Sequence, residues 1–283
     1  MQNPARAADR DFILASVHEL LVETGEDWDR CTHRLRVLGR ADTQGLFRAG
    51  HHCRPGDPYG PLLHAWTVLQ NTYPCQDTAT LHGLEEACLR SADLLPAHPA
   101  PWVTLLGLRR RLRRPVLEVF RVWEEAVRRD PWHREAYRQM LRYLSPDECG
   151  SKSAALDFVE SARARMPANA PAAGLYLAVQ TDLYHQALAQ QGVHAILARQ
   201  LWETHSARRA LEHGVALWTD PDFLVHVAGP ADLNMLAYAL VEARRAKQAA
   251  EVFRLLDGTV SPWPWRFHGD PVDKFRYWQD LLL

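Results

Sequence analysis

Lysine is almost missing from this 283-residue chain. Only Lys152, Lys247 and Lys274 occur among 33 basic residues, so the positive charge is carried by arginine. Cysteine is sparse and odd in number: Cys31, Cys53, Cys75, Cys88 and Cys149, with no C-x-x-C pair of the zinc or redox kind. That excludes a disulfide framework and reads as free thiols in a reducing compartment. No uninterrupted apolar run approaches the length needed to span a bilayer. The N-terminal MQNPARAADRDF lacks the basic-then-apolar layout of a secretion signal, so the expectation is a cytoplasmic protein without a membrane partner. Enzyme signatures are absent as well. There is no P-loop, G-x-G-x-x-G, G-x-S-x-G, kinase set or H-E-x-x-H. No segment alternates as a strand does.

What is present is helical and irregularly repetitive. Pro96, Pro131 and Pro167 each follow an apolar, Ala-rich stretch and are 35 and 36 residues apart. Trp102 and Tyr137 each lie six residues after their proline. A period of this length predicts stacked helical hairpins, because one hairpin cannot bury its apolar face alone. The apolar spacing and the start and stop residues predict helices from residue 9 or 11 to 24, and over 28–38, 61–72 and 78–94. The hairpins 101–112 with 115–129 and 131–144 with 152–165 follow. Two longer helices are expected over 172–190 and 193–217, then a pair over 231–245 and 247–256 and a last helix opened by Asp270-Pro271. Pro101, Pro115, Pro131 and Pro171 fall where a helix begins. Ser145-Pro146-Asp147-Glu148 has the form of a capping box. Residues 39–60 lose the period and form a long Gly/Pro-rich loop, with one helical turn expected around Leu46 and Phe47.

Residues 233–256, LNMLAYALVEARRAKQAAEVFRLL, resemble a tetratricopeptide repeat. Leu236, Ala237 and Leu240 would occupy its first helix and Ala249, Phe253 and Leu256 its second. The unit from Trp102 to Pro131 is similar through Leu106, Gly107, Trp123 and Ala126, and that from Tyr137 to Pro167 through Ala155, Phe158 and Ala162. Trp123-Glu124-Glu125-Ala126 also resembles the half-a-tetratricopeptide repeats. The period departs from a strict 34, and many signature positions are lost. The resemblance implies an all-α, right-handed superhelical array of antiparallel hairpins over 61–260. It would be preceded by the helices and loop of 1–60, interrupted by a longer-helix insertion over 171–228, and closed by an aromatic cap over 261–283. It also implies a concave face, lined by the first helix of each hairpin, that holds a peptide or protein.

Charge points to what such a face would bind. Residues 101–144 carry a net +6, between 1–100 at −4 and 145–283 at −3. Arg109, Arg110, Arg111, Arg113 and Arg114 cluster, and Arg138 and Arg142 follow on the next hairpin. The nominated binding set is Arg109, Arg110, Arg113, Arg114, Arg138 and Arg142. Their guanidinium groups would grip an acidic or phosphorylated partner segment by paired hydrogen bonds. The competing reading is a solvated helix end whose cations answer the C-terminal dipole. Nucleic acid is the weaker alternative and would need Trp132, His133 and Tyr137 exposed for stacking. A metal or cofactor is not expected. His51-His52-Cys53 sit side by side in a loop, and Asp182, His185, Glu203 and His205 lack the E-x-x-H spacing of a di-iron bundle. An enzyme alternative would place its site around 171–228 and 39–60. The aromatics Trp263, Trp265, Phe267, Phe275, Tyr277 and Trp278 read first as a terminal cap and second as a homodimer contact.

Overall fold

The computed structural model describes residues 4–42, 45–48, 56–70, 78–190, 197–220, 223 and 226–283, with backbone alone for residues 4–8. The expectations placed on His51, His52 and Cys53 lie outside these described residues. Every regular element among them is helical, and no helix is long and apolar enough to cross a membrane. The chain divides into two compact units, 1–149 and 150–283.

Unit 1 contains α1 (Pro4–Val22), α2 (Trp28–Ala41), α3 (Tyr59–Gln70), α4 (Thr78–Leu94), α5 (Ala100–Arg111), α6 (Val116–Arg129) and α7 (Arg134–Tyr143). Asp27 caps α2 by accepting the Arg30 N–H at 3.0 Å. The expected turn in the 39–60 loop is present at 46–48, where the Leu46 and Phe47 N–H groups donate to the Asp42 carboxylate at 2.7 and 3.0 Å. Phe47 is thereby buried. α2 packs closely on α3 because Gly39 has no side chain: a Cβ there would come within 2.7 Å of the Trp66 carbonyl carbon and 2.8 Å of the Thr67 nitrogen. Both are backbone atoms, which cannot move aside as a flexible side chain would. α5 is the hub of the unit, packed on α3, α4, α6 and α7. Its Val103, Leu105, Leu106 and Leu108 are all but inaccessible to solvent. Consistent with that, burial runs nearly all round this helix.

Unit 2 contains α8 (Lys152–Arg163), α9 (Leu175–Ala189), a 3-10 turn over Ala198–Glu203, α10 (His205–Leu217), α11 (Gly229–Glu242), α12 (Ala246–Leu256), a short Pro262–Trp265 turn and α13 (Pro271–Leu282). α9 packs on α8, α10 and α11, α11 on α12, and α12 on α13. Leu236, Ala237, Leu240, Ala249, Phe253 and Leu256 are all buried. Trp265 and Phe275 of the C-terminal segment close over Phe253, with ring centroids 6.0 and 5.1 Å away.

Three local expectations are corrected. The helix expected over 193–217 is broken: residues 198–203 wind as a 3-10 turn, and Thr204 restarts an α-helix by accepting the Ala207 N–H on its hydroxyl. Among the described residues of the insertion, α9 has 15 residues and α10 is cut to 13 by this break. Neither Pro131 nor Pro171 begins a helix. Pro131 lies in a turn, and His133 caps α7 instead. Pro171 lies in the turn before α9, which starts at Leu175. Ser145 and Glu148 do not form a capping box, because the Ser145 hydroxyl donates to the Arg142 carbonyl and Glu148 turns to Arg110.

Two outcomes test this packing. Gly39→Ala is expected to destabilise unit 1 by about 1–3 kcal/mol in urea denaturation, the cost of forcing a methyl group between two backbones. His98 supplies a pH dependence. It is buried between Trp28 and Tyr59, and its Nδ1 accepts the Ala100 N–H at 3.0 Å. Burial, with the charge of His133, lowers its pKa from 6.5 to about 4. The unfolded chain takes up this proton below pH 6.5 and the folded one does not. Stability is thus complete above that value and is expected to fall by up to about 3 kcal/mol as pH drops toward 4. His98→Asn, which keeps the acceptor, should flatten this loss in acid titrations followed by circular dichroism.

Candidate functional site

The six nominated arginines have different partners. Arg109 and Arg114 are occupied by Glu85 of α4: Arg114 donates to its Oε2 at 2.9 Å, and the Arg109 Nε lies 3.4 Å from its Oε1. Arg109 also donates to the Glu118 carbonyl, and Arg114 approaches His82 at 3.0 Å. These contacts staple the end of α5 to α4. Arg113 occupies the left-handed region at φ 51°, in the turn where the Arg113 and Arg114 N–H groups satisfy the last α5 carbonyls. Its side chain is exposed. Glycine is the usual residue in such a position.

Arg110, Arg138 and Arg142 belong to a different centre, built on α7. Residues 134, 138 and 142 lie four apart, so their side chains rise in one stripe along the helix. Glu135 sits beside that stripe with 3% of its surface exposed. Its Oε2 pairs with Arg36 of α2 at 3.1 Å, and its Oε1 accepts the Gln139 amide at 2.7 Å. Gln139 in turn accepts the Arg110 Nε at 2.7 Å, and Arg110 also pairs with Glu148. A continuous polar chain thus runs from α2 through α7 to α5.

The electrostatics record crowding of like charge. Burial alone would raise the Glu135 pKa, but Arg36, Arg142 and Arg138, with the Gln139 hydrogen bond, hold it at about 2. Burial and the charges of Arg134 and Arg142 push Arg138 down to about 9, with Glu135 the carboxylate that opposes them. Glu135 pulls Arg36 upward, but burial and Arg142, Arg134 and Arg40 outweigh it and leave its pKa lowered. Arg110 is lowered by burial against the pull of Glu148. All of these guanidinium groups remain charged at neutral pH. The α7 start is anchored from α2 as well. The half-buried Asp29 accepts the Arg134 N–H at 3.2 Å, and the wholly buried His133 lies 3.0 Å from the Thr32 hydroxyl through Nε2. Burial lowers the His133 pKa.

Arg36 and Arg134 are the members that sequence reasoning missed. The four-residue stripe was a readable signal for Arg134. None existed for Arg36, whose place depends on α2 meeting α7. The stacking alternative loses its surface, since His133 and Tyr137 are buried and Tyr137 stacks on Trp132 at 6.0 Å. Among the described residues no three His, Cys, Asp or Glu side chains converge as a metal site would require.

Glu135→Gln is expected to destabilise unit 1 by about 3–5 kcal/mol, because it leaves buried guanidinium groups uncompensated. Inorganic phosphate should restore more stability to this variant than to the wild-type protein at equal ionic strength, read as the shift in urea midpoint. No match was found when the chain was compared with protein-family models, curated proteins and solved structures.

Proposed function

We propose that unit 1 is a tetratricopeptide-like binding module that receives an acidic or phosphorylated segment of a partner protein between α2 and α7. The observation that carries this reading is the convergence of Arg36, Arg110, Arg134, Arg138 and Arg142 around Glu135. A guanidinium group under repulsion from its neighbours gains more from an incoming anion than an isolated one does. Each planar fork also meets a carboxylate or phosphate with two hydrogen bonds. Glu135 keeps the arginines assembled while the groove is empty. The repeat-like part of the reading is supported by the packing of α3 on α5 and of α5 on α7, the first helices of successive pairs. Arg138 and Arg142 are the half-buried members of the α7 stripe and the ones assigned to the ligand. Arg109 and Arg114 are reassigned to holding α4.

Fluorescence anisotropy with a phosphoserine peptide, an Asp/Glu-rich peptide and a neutral scramble tests this function. Binding of an anionic peptide should weaken steeply with salt and fall about tenfold or more in Arg138→Gln/Arg142→Gln. Arg113→Gln, at an exposed turn, should leave it unchanged. Equal affinity for the neutral peptide, or retention of a mixed RNA pool in place of either peptide, would overturn the reading.

A further inference from the structure

Unit 2 holds a cavity of about 440 Å³. Tyr184 and Leu188 of α9 and Tyr238 and Glu242 of α11 line it, with Trp265, His268, Lys274, Tyr277 and Trp278 of the C-terminal segment and Arg199 of the 3-10 turn. The volume falls within the range of small-molecule sites, and the lining combines aromatic faces with a few convergent polar groups.

Those polar groups form an ordered chain. Arg199 hydrogen-bonds the Tyr184 hydroxyl, which donates to Glu242 Oε2 at 2.5 Å. The His268 Nε2 lies 3.7 Å from Glu242 Oε1 and 2.8 Å from the Tyr238 hydroxyl. That hydroxyl is also 2.9 Å from His185 Nε2. His185 stacks on Phe267 with centroids 4.2 Å apart and planes 3° from parallel. Burial, together with the charges of His268 and Arg266, lowers the His185 pKa to about 4, so its ring is neutral. Burial raises the pKa of both tyrosine hydroxyls, which therefore remain protonated.

The charges at the cavity do not balance. Glu242 is its one acid and already receives the Tyr184 hydroxyl. Arg199 and Lys274 are exposed, and among the described residues neither is paired with a carboxylate. Two cations beside aromatic walls favour an anion on a flat ring. The Glu242 Oε1 retains a lone pair for an N–H donor on that ring.

We propose that this cavity binds a small planar aromatic acid: a flat ring that bears one carboxylate or phosphate and one N–H donor. The anionic group pairs with Arg199 and Lys274, the ring lies against Tyr277 and Trp278, and the donor meets Glu242. The site stands independently of the unit 1 groove.

Calorimetric titration of the full chain with indole-3-acetate, adenosine monophosphate and tryptamine tests the assignment. The first two probes carry the ring, donor and anion, and separate a carboxylate source from a phosphate one. Tryptamine keeps the indole ring but replaces the acid with an ammonium group. At least one acid should saturate the protein below about 1 mM, with tryptamine about tenfold weaker or more than the acid that binds. Arg199→Gln/Lys274→Gln, two exposed changes whose fold is checked by circular dichroism, should weaken the acid about tenfold or more. The proposal is overturned if neither acid saturates, if tryptamine binds as tightly as the acids, or if the double variant binds them unchanged.

Discussion

One buried carboxylate, Glu135, makes the basic face of unit 1 possible. Arginines gathered from α2, α5 and α7 would repel one another in a site with little water to screen them. Glu135 opposes that repulsion while touching Arg36 directly and Arg110 through Gln139. Two residues earlier, His133 bolts the same helix start to Thr32. Glu135 of α7 and its capping residue His133 thus hold α2 by an ion pair and by a hydrogen bond, and the arginine stripe is displayed from a helix that cannot easily rotate.

Both units depend on histidines kept neutral by burial. His98 and His133 accept backbone N–H groups at helix starts, and His185 sits behind a tyrosine hydroxyl against Phe267. In each case the ring supplies a hydrogen bond that a proton would disturb, and in His98 and His185 it also supplies an aromatic surface. His98 and His133 thereby join helix termini to the interior without placing a charge there. Their common cost is sensitivity to acid, since an unfolded chain accepts the protons that the folded one refuses.

Much of the helical layout was legible in residue spacing. Gly25 before Trp28, Asp270 before Pro271 and the apolar period of residues 78–94 placed α2, α13 and α4 within a few residues of their observed bounds. Where the reading missed, a local side chain had chosen another partner. Thr204 capped a new helix inside an apolar stretch, and Glu148 went to Arg110 rather than to a cap. The arginine run from 109 to 114 was conspicuous as a cluster, yet helical geometry turns its members to different sides. Arg109 and Arg114 reach one carboxylate and Arg110 another.

The sequence alone determined that this chain is helical and that positive charge gathers in its middle. Each of these follows from neighbours within a few turns of the chain. Tertiary structure decided which arginines are already satisfied and which share Glu135. It also brought the aromatic C-terminal segment against α9 and α11 to enclose a cavity. Those outcomes depend on contacts such as Thr32 with His133, 101 residues apart, and Tyr184 with Glu242, 58 apart. No local periodicity encodes such pairs, because they exist only once close packing has fixed how the helices cross.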